Sequence, residues 1–167
     1  MPHRDDLDPA TKAHLLLRAG GQTVATAESL TGGKLAVAFT ETPGASETYL
    51  GGVVTYATEL KKSILEVDQA IIDEHGVVSA ECARAMASGI KAFTGASYGV
   101  STTGVAGPSE QEGKPVGTVF IGIAGPGLLE TVALELSGDR GTITARTCEE
   151  ALSALNGILG REEADLG

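Results

Sequence analysis

Apolar positions recur along this chain at two spacings, one helical and one extended, and glycine or proline marks most of the changes between them. Pro9 to Ala19 carries Leu15, Leu16 and Leu17 in a stretch that predicts a helix closed by Gly20-Gly21. Thr23 to Ala27 is a β-prone run that enters Glu28-Ser29-Leu30-Thr31-Gly32-Gly33, and Lys34 to Thr40 then returns to helix. That is a strand–turn–helix unit, followed by a turn at Pro43-Gly44-Ala45. Gly51 to Tyr56 predicts a second strand, and Thr58 to Leu65 a helical start with Thr58 as its cap and Glu59 at its positive end. Asp68 to Glu74 reads as a short helix ending at Gly76. Ser79 is placed to cap a longer one over Ala80 to Phe93, where Cys82, Met86, Ile90 and Phe93 recur at helical spacing before Gly95.

The second half of the chain adds a third strand, Ser97 to Thr102, that runs into Thr103-Gly104-Val105-Ala106-Gly107-Pro108. Val116 to Ala124 and Glu130 to Leu136 read as a hairpin through Gly125-Pro126-Gly127. A last helix spans about Thr142 to Leu159, with Ala145, Cys148, Leu152, Leu155 and Leu159 on one stripe. Helices alternating with strands, plus one late hairpin, predict an α/β fold. The expected architecture is a three-layer α/β/α sandwich around a mixed, mostly parallel sheet, with residues 1–167 as one domain and its core over about 9–160.

Composition narrows the function. The 167 residues are 42% hydrophobic, enough for a sizeable core, but with three Phe, three Tyr and no Trp that core must be built from Ala, Val, Leu and Ile. The formal charge of −10 repels phosphate backbones and argues against a nucleic-acid partner. Cys82 and Cys148 lie far apart, and His3, His14 and His75 share no context, so neither a disulfide framework nor a metal site is expected. The charged start MPHRDDLDPATKAH lacks a signal-peptide core, and no apolar run nears the roughly 20 residues a bilayer demands. The expectation is a cytoplasmic protein with no membrane contact.

Three segments carry small polar residues and glycines where predicted strands end: Glu28 to Gly33, Thr55 to Lys61, and Ser101 to Pro108. In open α/β sheets, ligands bind in the crevice at strand C-termini, so parallel strands would bring all three together. Ser29 sits where a strand breaks into a helix, beside Gly32 and Gly33, a setting suited to an oxyanion or a phosphate. Ser29 or Thr31 as a plain helix cap is the alternative, and local sequence alone favours it. Lys61 follows Tyr56 by five residues. Desolvated in the crevice, it could act as base for a serine hydroxyl, with Tyr56 holding it or relaying a proton. A solvated Lys61-Lys62 pair is the bland reading. Thr103 and Gly104 offer further donors, and Arg140 could grip an anion.

Taken together, TVATAESLTGG, GGVVTYATELK, HGVVS, STTGVAGP, KPVGTVFIGIA and GDR resemble the C-terminal domain of the CinA (competence/damage-inducible) family, whose stand-alone members include nicotinamide-mononucleotide deamidases. The resemblance spans nearly the whole chain. It implies an amidase that hydrolyses the carboxamide of nicotinamide mononucleotide to nicotinate mononucleotide and ammonia, in pyridine-nucleotide recycling. A serine nucleophile falls on Ser29, a lysine base on Lys61 and a supporting tyrosine on Tyr56. Substrate contacts are expected from Thr31, Gly32, Gly33, Thr103, Gly104 and Arg140, with no cofactor or metal and with self-association into a homo-oligomer. A catalytically silent relative that binds a nucleotide or a protein partner is the alternative. Two departures from the family pattern bear on substrate affinity. The loop after Gly107-Pro108 reads Ser109-Glu110-Gln111-Glu112-Gly113, about one residue short and without a glycine pair, and Thr144 stands where many relatives carry arginine.

Overall fold

The computed structural model describes residues 3–166. Five strands form one sheet: β1 (Val24–Glu28), β2 (Tyr49–Val54), β3 (Tyr98–Gly104), β4 (Thr118–Gly125) and β5 (Leu128–Glu135). Six helices accompany them: α1 (Pro9–Ala19), α2 (Lys34–Thr40), α3 (Thr58–Ser63), α4 (Gln69–His75), α5 (Ala80–Thr94) and α6 (Arg140–Leu166). The strand order is β2-β1-β3-β4-β5. β1 pairs in parallel with both β2 and β3, while β4 runs antiparallel to β3 and to β5. Four strands therefore point one way, and only β4 opposes them.

Each face of the sheet carries its own apolar cluster, so the expected three layers are present. On one face, Leu16 and Leu17 of α1, Leu35 and Phe39 of α2, and the Ile143–Leu159 stripe of α6 meet Val24, Val100 and Ile121. On the other, Cys82, Met86 and Ile90 of α5 join Leu65, Val67, Val77 and Val78 over Ala25 and Ala27. Every residue of β1 is buried, as a central strand covered on both sides requires. Helix α5 lies on the sheet at backbone distance. A Cβ at Gly99 or Gly122 would come within 2.2 and 2.3 Å of the carbonyl oxygens of Ala87 and Ala83, which only glycine permits.

The helix ends follow local chemistry in part. Asp8 caps α1 by accepting from Thr11 N–H at 3.1 Å, Ser79 caps α5 through Cys82 N–H at 3.1 Å, and Gly95 closes α5 in the left-handed conformation. Elsewhere the sequence expectation shifts. Ala57, not Thr58, is the N-cap of α3 and makes no side-chain bond. β2 begins two residues earlier than predicted and ends at Val54; Thr55 N–H still donates to Glu28 O at 2.8 Å, and Tyr56 enters the loop above. Phe93, on the predicted apolar stripe, is 66% exposed because the covering layer ends before the last turn of α5. Helix α6 runs seven residues past Leu159, and Ala145 on its predicted stripe is exposed.

Candidate functional site

The chain leaves β1 for β2 on one side and later returns to β3 on the other, so the crevice opens above the C-terminal end of β1. A cavity of about 380 Å³ occupies that place. Ser29, Tyr56, Lys61, Gly104 and Arg140 line it, with Val77 and Val78 as one wall. The three glycine- and hydroxyl-bearing segments converge there because β1, β2 and β3 are parallel.

Ser29 is positioned by β3. Its N–H donates to Thr102 O at 3.0 Å, extending the β1–β3 pairing one step past the strand. Neither Ser29 nor Thr31 caps α2, whose N-cap is Gly33 with φ +104°. Glu28 supplies the acceptors instead. Its buried carboxylate accepts from Leu35 N–H at 2.8 Å, Ala36 N–H at 3.1 Å and Thr31 Oγ1 at 2.7 Å. A carboxylate at the positive end of a helix is favourable, and here it also fixes the turn that presents Ser29. Glu28→Ala strands these donors in the core. It is expected to destabilise the fold by about 3 kcal/mol in urea titration, with Glu28→Gln costing less.

Lys61 is the largest polar side chain in the interior, at 1% exposure. Its Nζ lies 2.9 Å from Ser29 Oγ, 2.6 Å from Thr55 O and 3.4 Å from Tyr56 O. Burial lowers the Lys61 pKa below the ordinary lysine value, opposed by the Cys82 thiol and the Glu112 carboxylate. A neutral amine has two N–H donors and one lone pair. Two carbonyls accept the donors, and the lone pair is left for the Ser29 hydroxyl. This is the arrangement in which a lysine can take a proton from serine.

Strand alternation places a donor opposite the pair. Val105 N–H bonds Thr118 O on β4 at 2.9 Å, and Thr102 O accepts from Ser29 on the β1 side. The Gly104 amide, two residues from Thr102, therefore faces the β1 side, where β1 has already ended. Together with the Leu30 amide, which follows Ser29 at the cavity, it forms a candidate pair of donors for an oxyanion.

Other predicted residues fall differently. The Tyr56 ring is 58% exposed, and its hydroxyl accepts from Arg140 Nη1 at 3.2 Å. Its main-chain carbonyl, not its phenol, touches Lys61. Thr31 is buried, its hydroxyl bonded to Glu28 and to Thr102 Oγ1 at 2.8 Å, and it does not line the cavity. Gly32 and Gly33 border a separate groove between α2 and α6. The Thr103 hydroxyl donates to Val77 O at 2.7 Å, which commits its one proton and leaves the oxygen only as an acceptor. Thr144 is buried at the α2–α6 seam, where it accepts from Lys34 Nζ at 2.6 Å. Thr144 itself does not line the cavity. The sequence reading missed the Val77–Val78 wall, whose only local signal was the apolar pair beside Gly76. Among the described residues no group of three or more His, Cys, Asp or Glu could hold a metal ion, and no helix is long and apolar enough to cross a membrane.

Comparison with known proteins bears on the family and the fold. Residues 7–159 match the model of the CinA C-terminal domain. A CinA-like protein of Frankia casuarinae is 46% identical over 155 residues, 93% of this chain and 35% of that protein. A putative competence-damage inducible protein of Geobacillus is 44% identical over 141 residues, 84% of this chain and 34% of that one. The chain thus spans about a third of the length of these curated relatives. Among solved structures, a CinA superfamily protein of Klebsiella pneumoniae superposes with a TM-score of 0.89 at 32% identity, covering 96% of this chain and 99% of that one. A competence/damage-inducible protein of Agrobacterium tumefaciens gives 0.85 at 31%, covering 93% and 98%.

Proposed function

The chain belongs to the CinA C-terminal domain family, and from that premise we propose that it is an amidohydrolase acting on nicotinamide mononucleotide. The observation that carries the reading is the buried Lys61 amine 2.9 Å from Ser29 Oγ at the edge of a cavity.

In this mechanism neutral Lys61 takes the Ser29 proton as Oγ bonds to the carboxamide carbon. The carbonyl oxygen becomes an oxyanion facing the Gly104 and Leu30 amides. As the carbon–nitrogen bond breaks, Lys61 returns the proton to the departing nitrogen, which leaves as ammonia. A water then attacks the resulting ester, Lys61 accepts its proton, and the second tetrahedral species collapses. Nicotinate mononucleotide leaves, and Ser29 regains its proton. Lys61 thus serves as base and acid in turn.

Arg140 stands at the rim, its guanidinium on Tyr56 Oη and otherwise open to solvent. We assign it the substrate phosphate, and Tyr56 the part of holding that guanidinium over the cavity. Arg140→Met is expected to raise KM for nicotinamide mononucleotide about tenfold with kcat little changed, the pattern of lost uniform binding.

The decisive assay measures ammonia and nicotinate mononucleotide from nicotinamide mononucleotide. Binding without turnover by the well-folded protein would leave a nucleotide-binding relative without the activity, and absence of both would overturn the substrate assignment.

A further inference from the structure

The rim loop after Gly107-Pro108 carries two acidic residues, and they do not both face the cavity. Glu110 lines it, with Gln111. Glu112 turns the other way. Its Oε2 accepts from Val77 N–H at 3.0 Å and its Oε1 from Val78 N–H at 2.9 Å. Lys114 reinforces the same junction by donating to Val78 O and, at 3.4 Å, to His75 O. Between them the chain turns in two residues. Gln111 and Lys114 exchange backbone bonds of 3.2 and 2.8 Å, with Glu112 at φ +55° and Gly113 at φ +71°. Such turns ordinarily take Asn, Asp or Gly at the first position. A glutamate there is chosen for its side chain, which reaches across to a segment 34 residues away in sequence.

We propose that Glu112 is a positioning residue for this site: its carboxylate fastens the rim loop to the Val77–Val78 wall and holds a negative charge within reach of Lys61. Both tethered pieces line the cavity, so the fastening fixes its width. The charge has a separate consequence. The Ser29 hydroxyl, from the turn after β1, is in contact with the Lys61 amine, while Cys82 of α5 and the Glu112 carboxylate, held on the Val77–Val78 amides of the same cavity wall, act on it through charge. Glu112 favours the protonated amine, against the burial that disfavours it. Lys114 braces the same junction through Val78 O and His75 O, so Lys114→Met loosens the fastening and leaves the carboxylate in place, whereas Glu112→Gln removes the charge. Tether and charge can therefore be separated by mutation.

The inference rests on the deamidase reading for its effect on turnover, but not for its effect on the Lys61 titration. The test compares wild type, Glu112→Gln and Lys114→Met. It uses heteronuclear NMR of labelled lysine to follow Lys61 without substrate, and kcat/KM against pH with nicotinamide mononucleotide. For Glu112→Gln, the Lys61 titration and the acid limb of the rate profile should both move to lower pH, and KM on the plateau should rise about fivefold. Lys114→Met should raise KM without moving either titration to lower pH. An unmoved or upward-moving Lys61 titration in Glu112→Gln overturns the proposal. If that variant does not fold, Glu112→Asp is read instead: it keeps the charge and shortens the tether, so KM must rise while the limb stays, and an unchanged KM refutes the fastening. If wild type turns over nothing, the deamidase reading fails while the NMR titration still decides this one.

Discussion

Ser29→Ala is expected to lower kcat for nicotinamide mononucleotide deamidation by about 10⁴-fold or more, measured as ammonia release at saturating substrate. The change removes the only atom placed to form the ester while leaving the scaffold untouched. The Ser29 backbone bond to Thr102 does not use the hydroxyl, and neither does the Glu28 cap of α2. Substrate affinity should therefore persist, and isothermal titration with the inactive variant should return a Kd near that of wild type. A variant that keeps a tenth or more of the wild-type rate would remove Ser29 from the chemistry. Loss of binding together with turnover would mean that the hydroxyl serves recognition instead.

Lys61→Met is expected to produce a loss of similar size, and it also carries a signature in stability. The desolvated amine titrates below the ordinary lysine value in the folded chain and at that value in the unfolded chain. Between the two, the unfolded state binds more protons, so wild-type stability gains as pH rises through this window. Below the folded pKa both states are protonated, and the cost of burying the ammonium is fully present. The methionine variant has no such group. The stability difference, wild type minus Lys61→Met, should therefore grow with pH up to the ordinary lysine value and then level. Urea midpoints at a series of pH values measure it. The same titration governs activity in the same direction: turnover requires the neutral amine, so kcat/KM should rise with pH through a limb below the ordinary lysine range. A flat stability difference would mean that Lys61 is not desolvated in solution.

Much of this arrangement was legible in the sequence because it depends on short-range features. Glycines after apolar runs marked where β1 and β3 end, and parallel strands then brought Ser29, Lys61 and Gly104 to one crevice without any knowledge of their distances. What local reading could not supply were contacts made across the fold. Glu28 caps α2 from seven residues before Leu35, out of a strand, whereas local sequence points to Ser29 or Thr31 beside the helix. Tyr56 lies at the expected spacing from Lys61. Its departure from the β2 ladder nonetheless turns the ring to the rim, where Arg140, 84 residues later, meets it. The role of Glu112 was not legible because its partners, the Val77 and Val78 amides, are remote in sequence. Side-chain direction at the end of a strand is a tertiary quantity, and the Thr31–Gly33 turn illustrates it by facing away from the cavity its composition seemed to suit.

The order of the strands has a further consequence, in how the chain reaches this state. β3, β4 and β5 are sequential antiparallel neighbours, and the β4–β5 turn closes a short loop. β1, by contrast, finds β3 only after some 70 residues have intervened, and Ser29 acquires its Thr102 contact in that same step. Closing such a long loop carries an entropic cost before any contact returns it, so the hairpin has the kinetic advantage and the β1 insertion comes late. The pairing of serine with lysine needs β2 as well, seated on the far side of β1. The nucleophile is thus fixed by a strand on one side of β1 and its base arrives from the other, so the finished pair requires both neighbours of β1 in place.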